Sequence, residues 1–298
     1  MNFKQFLIPV IGLALLADAS SAMVQIKGSD TMVNLAQRMA EVYMQKNPGA
    51  SISVSGGGSG VGIAQLINGK CSIADSSRSI KDSEIKKMKS KGGDPREVAI
   101  AIDALSIIVN PSLAITNLSI EQVGAIYRGD ITNWEEVGGP DKAITLYGRQ
   151  PNSGTFDFLR EHVLEGEYSN KMNQMNGNSQ IAEAVKQDAS GIGYVGVGYV
   201  VNDGKVINGI KILGISAKGS SIFYSPTNLK VVVNGKYPIA RALFQYIDGA
   251  PKGETKAFID FELSPEGQKL VTEEGFYAIQ GKFAEGNKTV STVKARQF

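Results

Sequence analysis

Three stretches of this chain repeat one arrangement that limits the fold more than anything else in it: a short apolar strand, a loop of glycine and hydroxyl residues, then a helix. Val24-Gln25-Ile26 alternates as a strand does, Gly28-Ser29-Asp30-Thr31 follows, and Val33, Leu35, Ala36, Met39, Ala40, Val42 and Tyr43 recur at helical spacing. Ile52 and Val54 alternate before Gly56-Gly57-Gly58-Ser59-Gly60 and a helix through Ile63, Leu66 and Ile67. Ile144 to Tyr147 leads into Gly148 to Thr155, and a helix is predicted from Phe156 to Val163. Alternating strands and helices imply an α/β fold with largely parallel sheets. Other segments agree. Cys71 to Ala74 reads as a buried segment leading to Asp75-Ser76-Ser77-Arg78, and Leu105 to Val109 as a strand. Ser119 opens a helix over Ile120 to Tyr127, and Asn178 or Ser179 caps one reaching Val185. Gly191 to Gly196 reads as a strand closely approached by other backbone. Pro251 to Phe261 and Ser264 to Glu274 are helical, the second with Ser264 as N-cap and Pro265 at the first position.

The loops carry the chemistry. A helix N-terminus has unpaired N–H groups and a partial positive charge, glycine lets an anion approach the backbone, and hydroxyls add donors. One such terminus suits an anion, and several converging termini suit a small oxyanion with four oxygens. For any single residue among Thr31, Ser59, Ser153 and Thr155, plain helix capping is the competing reading. Arg149 stands four residues before Ser153. Its planar guanidinium gives an oxyanion two parallel hydrogen bonds and keeps its charge, and a surface salt bridge is the alternative.

Composition removes other classes. The 298 residues are 42% hydrophobic with a formal net charge of +2, enough for a packed core and too balanced for a nucleic-acid binder. The densest basic stretch, Lys81 to Lys91, is interrupted by Asp82 and Glu84 and reads as a solvated helix face or a docking surface. The glycine cluster matches neither a dinucleotide nor a P-loop pattern. No Cys/His cluster offers a metal site, His162 is the sole histidine on a helix face, and no nucleophile–base set is evident, so neither cofactor nor catalysis is expected. Lys4, the apolar run Phe6 to Leu16 and the small residues Ser20-Ser21-Ala22 read as an export signal cleaved before Met23, with a retained anchor as the alternative. Cys71 is the only cysteine, so no disulfide forms within the chain. The mature protein is expected to be soluble, exported to a periplasmic or extracellular space, and monomeric.

The succession GSDT, SGGGSG, ADSSR, RQPNSGT, GIGYVG and ALFQYIDGAPKGETKAFIDFELSPEGQKLV, from about Met23 to Gln280, resembles the phosphate-binding component of the high-affinity phosphate ABC transporter. That resemblance implies a type II periplasmic-binding fold: two α/β lobes holding dehydrated phosphate in the cleft by hydrogen bonds alone, for delivery to a membrane permease. The implied contacts are Thr31, the Met32 backbone N–H, Ser59, Ser77, Arg149, Ser153, Gly154 and Thr155, with Arg78 beside them. Ser77 departs from the pattern, because many members place an aspartate there. Asp103 is open between replacing that proton acceptor and a structural role at the lobe crossing. The implied first lobe is 23–104 with 239–298, and the second is 105–238. A receptor for sulfate, molybdate or tungstate is the nearest alternative, and a phosphatase-like enzyme a more distant one.

Overall fold

The computed structural model describes residues 23–202, 204–281 and 287. The signal sequence expected over 1–22 lies outside the described residues, as does most of the chain beyond 281. In chain order the first elements are β1 (Val24–Gly28), α1 (Val33–Lys46), β2 (Ile52–Ser55), α2 (Ser59–Ile67), β3 (Ile73–Ser76), α3 (Asp82–Ser90) and β4 (Pro95–Ala104). Then come β5 (Ser106–Val109), β6 (Asn117–Ser119), α4 (Ile120–Arg128), β7 (Thr145–Arg149), α5 (Gly154–Leu159), β8 (Asn173–Met175), α6 (Asn178–Gln187) and β9 (Gly191–Val195). A small hairpin of β10 (Val201–Asn202) and β11 (Lys205–Val206) precedes β12 (Lys211–Ile212), β13 (Gly214–Ser216), β14 (Phe223–Tyr224) and α7 (Leu229–Val233). The described elements end with β15 (Ala240–Asp248), α8 (Gly253–Leu263) and α9 (Pro265–Glu273).

Two five-stranded sheets form the two lobes, in the orders β2-β1-β3-β15-β4 and β12-β5-β9-β7-β8, and β14-β13-β6 make a smaller third sheet. In the first, β1 runs parallel to β2 and β3, while β15 is antiparallel to β3 and to β4. In the second, β7 is parallel to β8 and β9, while β5 is antiparallel to β9 and to β12. The expected parallel sheets therefore each contain one reversed strand. Both reversed strands arrive from the other lobe, so no crossover helix turns the chain back before them. Only Leu105 separates β4 from β5.

Local patterning explains most elements. Helix α1 buries Leu35, Ala36, Met39, Ala40 and Tyr43, one face of a 3.6-residue period. Ile26 has no exposed surface and lies in register between Val54 and Ile73. Burying one such side chain contributes about 1.5–3 kcal/mol. Strands β4 and β15 are hidden from pattern reading because Val98 to Ala104 and Arg241 to Ile247 are buried on both faces, so nothing alternates.

Two expectations need correction. The helix predicted over Phe156 to Val163 is α from Gly154 to Leu159 and then a π turn over Arg160 to Leu164. The His162 imidazole lies 3.0 Å from the Phe158 carbonyl, the acceptor its own backbone N–H would take in an α-helix. The glycines of β9 make room chiefly for side chains rather than backbone. A Cβ at Gly193 would meet Ile181 Cγ2 at 2.5 Å, and one at Gly196, just beyond the strand, would meet Thr31 Cγ2 at 3.0 Å.

Candidate anion-binding site

The carboxyl ends of β1, β3 and β7, with the start of α2 after β2, bring their loops together where the two sheets face each other. Ligands of open α/β sheets sit at such ends. Thr31 Oγ1 lies 2.9 Å from Thr155 Oγ1, Thr155 Oγ1 lies 3.4 Å from Ser77 Oγ, and Ser77 Oγ lies 3.4 Å from Ser59 Oγ. The Asn178 amide reaches Thr31 Oγ1 at 3.5 Å. Thr31, Ser59 and Thr155 have no exposed surface. Glycine at 154 is a steric requirement of this approach: a Cβ there would stand 2.3 Å from Ser59 Oγ and 2.8 Å from Ser77 Oγ.

Of the hydroxyls that sequence left open between capping and binding, Ser153 caps. Its Oγ accepts from the Thr155 and Phe156 N–H groups at 3.2 and 3.4 Å, and its own proton remains to donate. Helices α1 and α2 follow Met32 and Gly58 with no side-chain cap, so Thr31 and Ser59 are not used that way. The Met32 N–H closes a turn onto the Ser29 carbonyl at 3.0 Å.

Arg149 is 1% exposed and bonds Met175 O at 3.3 Å, Asn176 O at 2.9 Å and the Asp30 carboxylate of the facing lobe. A guanidinium has five N–H donors, so these bonds orient it and leave donors for an anion. Arg78 is taken up by carboxylates: Glu84 accepts two bonds of 2.8 Å and Asp157 lies at 3.1 Å. Burial pulls the pKa of Arg78 down, but Glu84 and Asp157 outweigh it and raise the net value.

Asp103 is fully buried. Its Oδ1 accepts from the Val197 N–H at 3.0 Å, and its Oδ2 from Arg241 Nε and Nη2 at 3.0 and 2.8 Å. Arg241 is a second arginine at the cluster that sequence reasoning missed. It donates to Thr155 Oγ1 at 3.0 Å and to the Ser77 carbonyl at 2.9 Å, and lies over the Phe158 ring at 5.1 Å. Burial lowers its pKa and Asp103 opposes that. The available signal was an arginine inside a largely apolar run, Ala240 to Ile247, whose other polar residue is Gln245. Asp30 and Asn178 were also missed. Asn178 was read as a cap, but it is the first residue of α6 behind Gly177, and its Oδ1 accepts the Gly196 N–H at 3.3 Å.

The site thus brings together four hydroxyls, one amide and Arg241, with Arg149 joined through Asp30, the neighbour of Thr31, and each arginine is held by one carboxylate. Among the described residues no His/Cys/Asp/Glu group is arranged to hold a metal ion, and no helix is long and apolar enough to cross a membrane.

Residues 17–266 match the family model described as a PBP superfamily domain. The phosphate-binding protein PstS of Pseudomonas aeruginosa is 30% identical over 87% of this chain and 83% of its own length. The PstS of Borreliella burgdorferi is 30% identical over 87% of this chain and 90% of its own. Among solved structures, a Clostridium perfringens protein with bound phosphate superposes with a TM-score of 0.76 at 28% identity, covering 87% of this chain and 100% of that one. An ABC-type phosphate transport receptor from Vibrio cholerae gives 0.69 at 27%, covering 86% and 100%. With this fold and these similarities, the chain belongs to the PBP superfamily and, within it, to the family of PstS phosphate-binding proteins.

Proposed function

We propose that this protein captures inorganic phosphate between its lobes and delivers it to the membrane permease of an ABC importer. The carrying observation is the buried convergence of Thr31, Ser59, Ser77, Thr155, Asn178 and Arg241 from both sheets on one place, with Arg149 joined to Asp30, the neighbour of Thr31. Charged and neutral donors on all sides replace the water of a dehydrated oxyanion. In this reading Thr31, Ser59, Ser77, Arg149, Ser153, Gly154 and Thr155 contact the ligand. Arg241 holds Thr155 and Ser77 in place, and Asp103 anchors Arg241 rather than accepting the ligand's proton. Arg78 braces the site from the side, and Met32 contributes its turn rather than a free donor. Lobe one is 23–104 with 239–298 and lobe two is 105–238. The protein acts outside the cytoplasm as a monomeric receptor and not as an enzyme.

One observation favours a second reading, a broader tolerance of tetrahedral oxyanions. Asp103 directs both oxygens to protein donors, and Asp30 directs its own to the Gly57 N–H and Arg149. The carboxylates are thus engaged by the protein, a protonated phosphate turns to the hydroxyls, Ser77 among them, as its uncommitted acceptors, and a hydroxyl rejects sulfate less strongly than a carboxylate would. Calorimetry on phosphate-stripped protein tests both readings. One phosphate per chain, bound at micromolar affinity or tighter, is expected. Absence of heat and of thermal stabilisation at millimolar phosphate overturns the function, and sulfate failing to compete at any concentration overturns the second reading.

A further inference from the structure

We infer that Asp157 is an interlobe latch that sets how tightly phosphate is held without touching it. This builds on the proposed capture of phosphate. Asp157 lies in the first turn of α5, three residues after Gly154, and its side chain is 8% exposed. Across the lobe boundary its Oδ2 meets Lys81 Nζ at 2.6 Å and Arg78 Nε at 3.1 Å. On its own side its Oδ1 meets Arg160 Nη2 at 3.2 Å. Arg78 follows Ser77 directly and keeps two bonds to Glu84, whose Oε2 also accepts the Lys81 N–H at 2.8 Å.

The latch is therefore fastened to both halves of the anion cluster, to the α5 start and to the loop after β3. It is also reversible by construction. When the lobes part, Asp157 retains Arg160, Arg78 retains Glu84, and Lys81, already 38% exposed, passes to water. No charge is left buried and alone, the outcome that makes breaking a buried ion pair so unfavourable. The latch thus biases the open–closed equilibrium without locking it. Affinity for a ligand that needs the closed form scales with the fraction of molecules closed.

The test compares Lys81→Met, Lys81→Arg, Asp157→Asn and the Lys81→Met/Asp157→Asn pair with wild type, using inorganic phosphate. Lys81→Met should weaken binding by about three- to tenfold, chiefly through faster release, and enlarge the ligand-free radius of gyration. Its melting temperature without phosphate should hold. Lys81→Arg should restore wild-type affinity. The double variant should be no weaker than Asp157→Asn alone, since each substitution breaks the same pair. Wild-type affinity and release in Lys81→Met, equal weakness in Lys81→Arg, or additive losses in the double variant would each overturn the latch. If Asp157→Asn fails to fold, the two Lys81 variants decide. If wild type binds no phosphate, the proposed function falls, and ligand-free scattering of Lys81→Met, more open or unchanged, still decides the latch.

Discussion

Arg149 has three bonds to protein acceptors, yet its neighbours set it among the proposed phosphate contacts. It leads into the loop of Ser153, Gly154 and Thr155, and its partner Asp30 sits beside Thr31. Truncating one partner of a buried charge pair costs on the order of 2–5 kcal/mol. Arg149→Ala should therefore weaken phosphate binding at least about thirtyfold by titration, and an affinity within a factor of three of wild type would place Arg149 outside the site. A second residue prediction concerns stability. Asp75 is buried in β3 beside Gln245 and Glu262, and among the described residues Asp75 Oδ1, Gln245 Oε1 and Glu262 Oε2 have no hydrogen-bond partner. A proton on either carboxyl supplies a missing donor. Burial raises the pKa of Asp75 to about 7, against a hydrogen bond from Gln245 that lowers it, and also raises that of Glu262. An unfolded aspartate titrates at about 3.9. Folding therefore takes up a proton, so stability is highest below the unfolded value and is lost as pH climbs toward about 7. Asp75→Asn carries its own donor at every pH. In chemical denaturation it should gain on wild type by on the order of 1–4 kcal/mol between about pH 5 and about pH 8. A pH-independent difference would refute that assignment.

At the scale of elements, helix α5 decides the site. Its start wedges Gly154 between the Ser59 and Ser77 hydroxyls of the opposite lobe. Gly154→Ala leaves α5 able to form, because alanine is the better helix former, but its methyl group cannot share that space unless the lobes separate. The variant should melt cooperatively near wild type without ligand while losing at least about tenfold in phosphate affinity, on the order of 1.4 kcal/mol. Unchanged affinity would mean the lobes meet less closely at this point. Elements with a one-sided apolar face were legible in advance: α1, α4 with its Ser119 cap, and α9 behind Ser264 and Pro265. Strands β4 and β15 were not. They are covered on both faces, and their polar residues Asp103, Arg241 and Gln245 find partners only in other elements.

The whole molecule depends on closure, because neither lobe alone surrounds an anion. Thr31, Ser59 and Ser77 stand on one sheet's loops, and Arg149 and Thr155 on the other's. Polar contacts cross between them, including Tyr199 to the Asp30 carbonyl and Asn152 Nδ2 to the Gly57 carbonyl at 2.9 Å. Phosphate-loaded protein should scatter X-rays as the compact closed form, and stripped protein as a larger average over closed and hinge-opened molecules. Identical curves with binding confirmed would confine the site to one lobe. The sequence by itself determined the alternation of strand and helix, and it marked the three loops and Arg149, because helix and strand periods and glycine-rich turns are local properties of the chain. Only the tertiary structure decided which hydroxyl caps and which faces the cluster. It alone also paired Asp103 with Arg241 and drew Arg78 and Lys81 to Asp157. The physical reason is distance along the chain: Asp103 and Arg241 stand 138 residues apart, and Lys81 and Asp157 stand 76 apart. A charge's partner at such separation is set by how the two sheets pack and not by any local pattern.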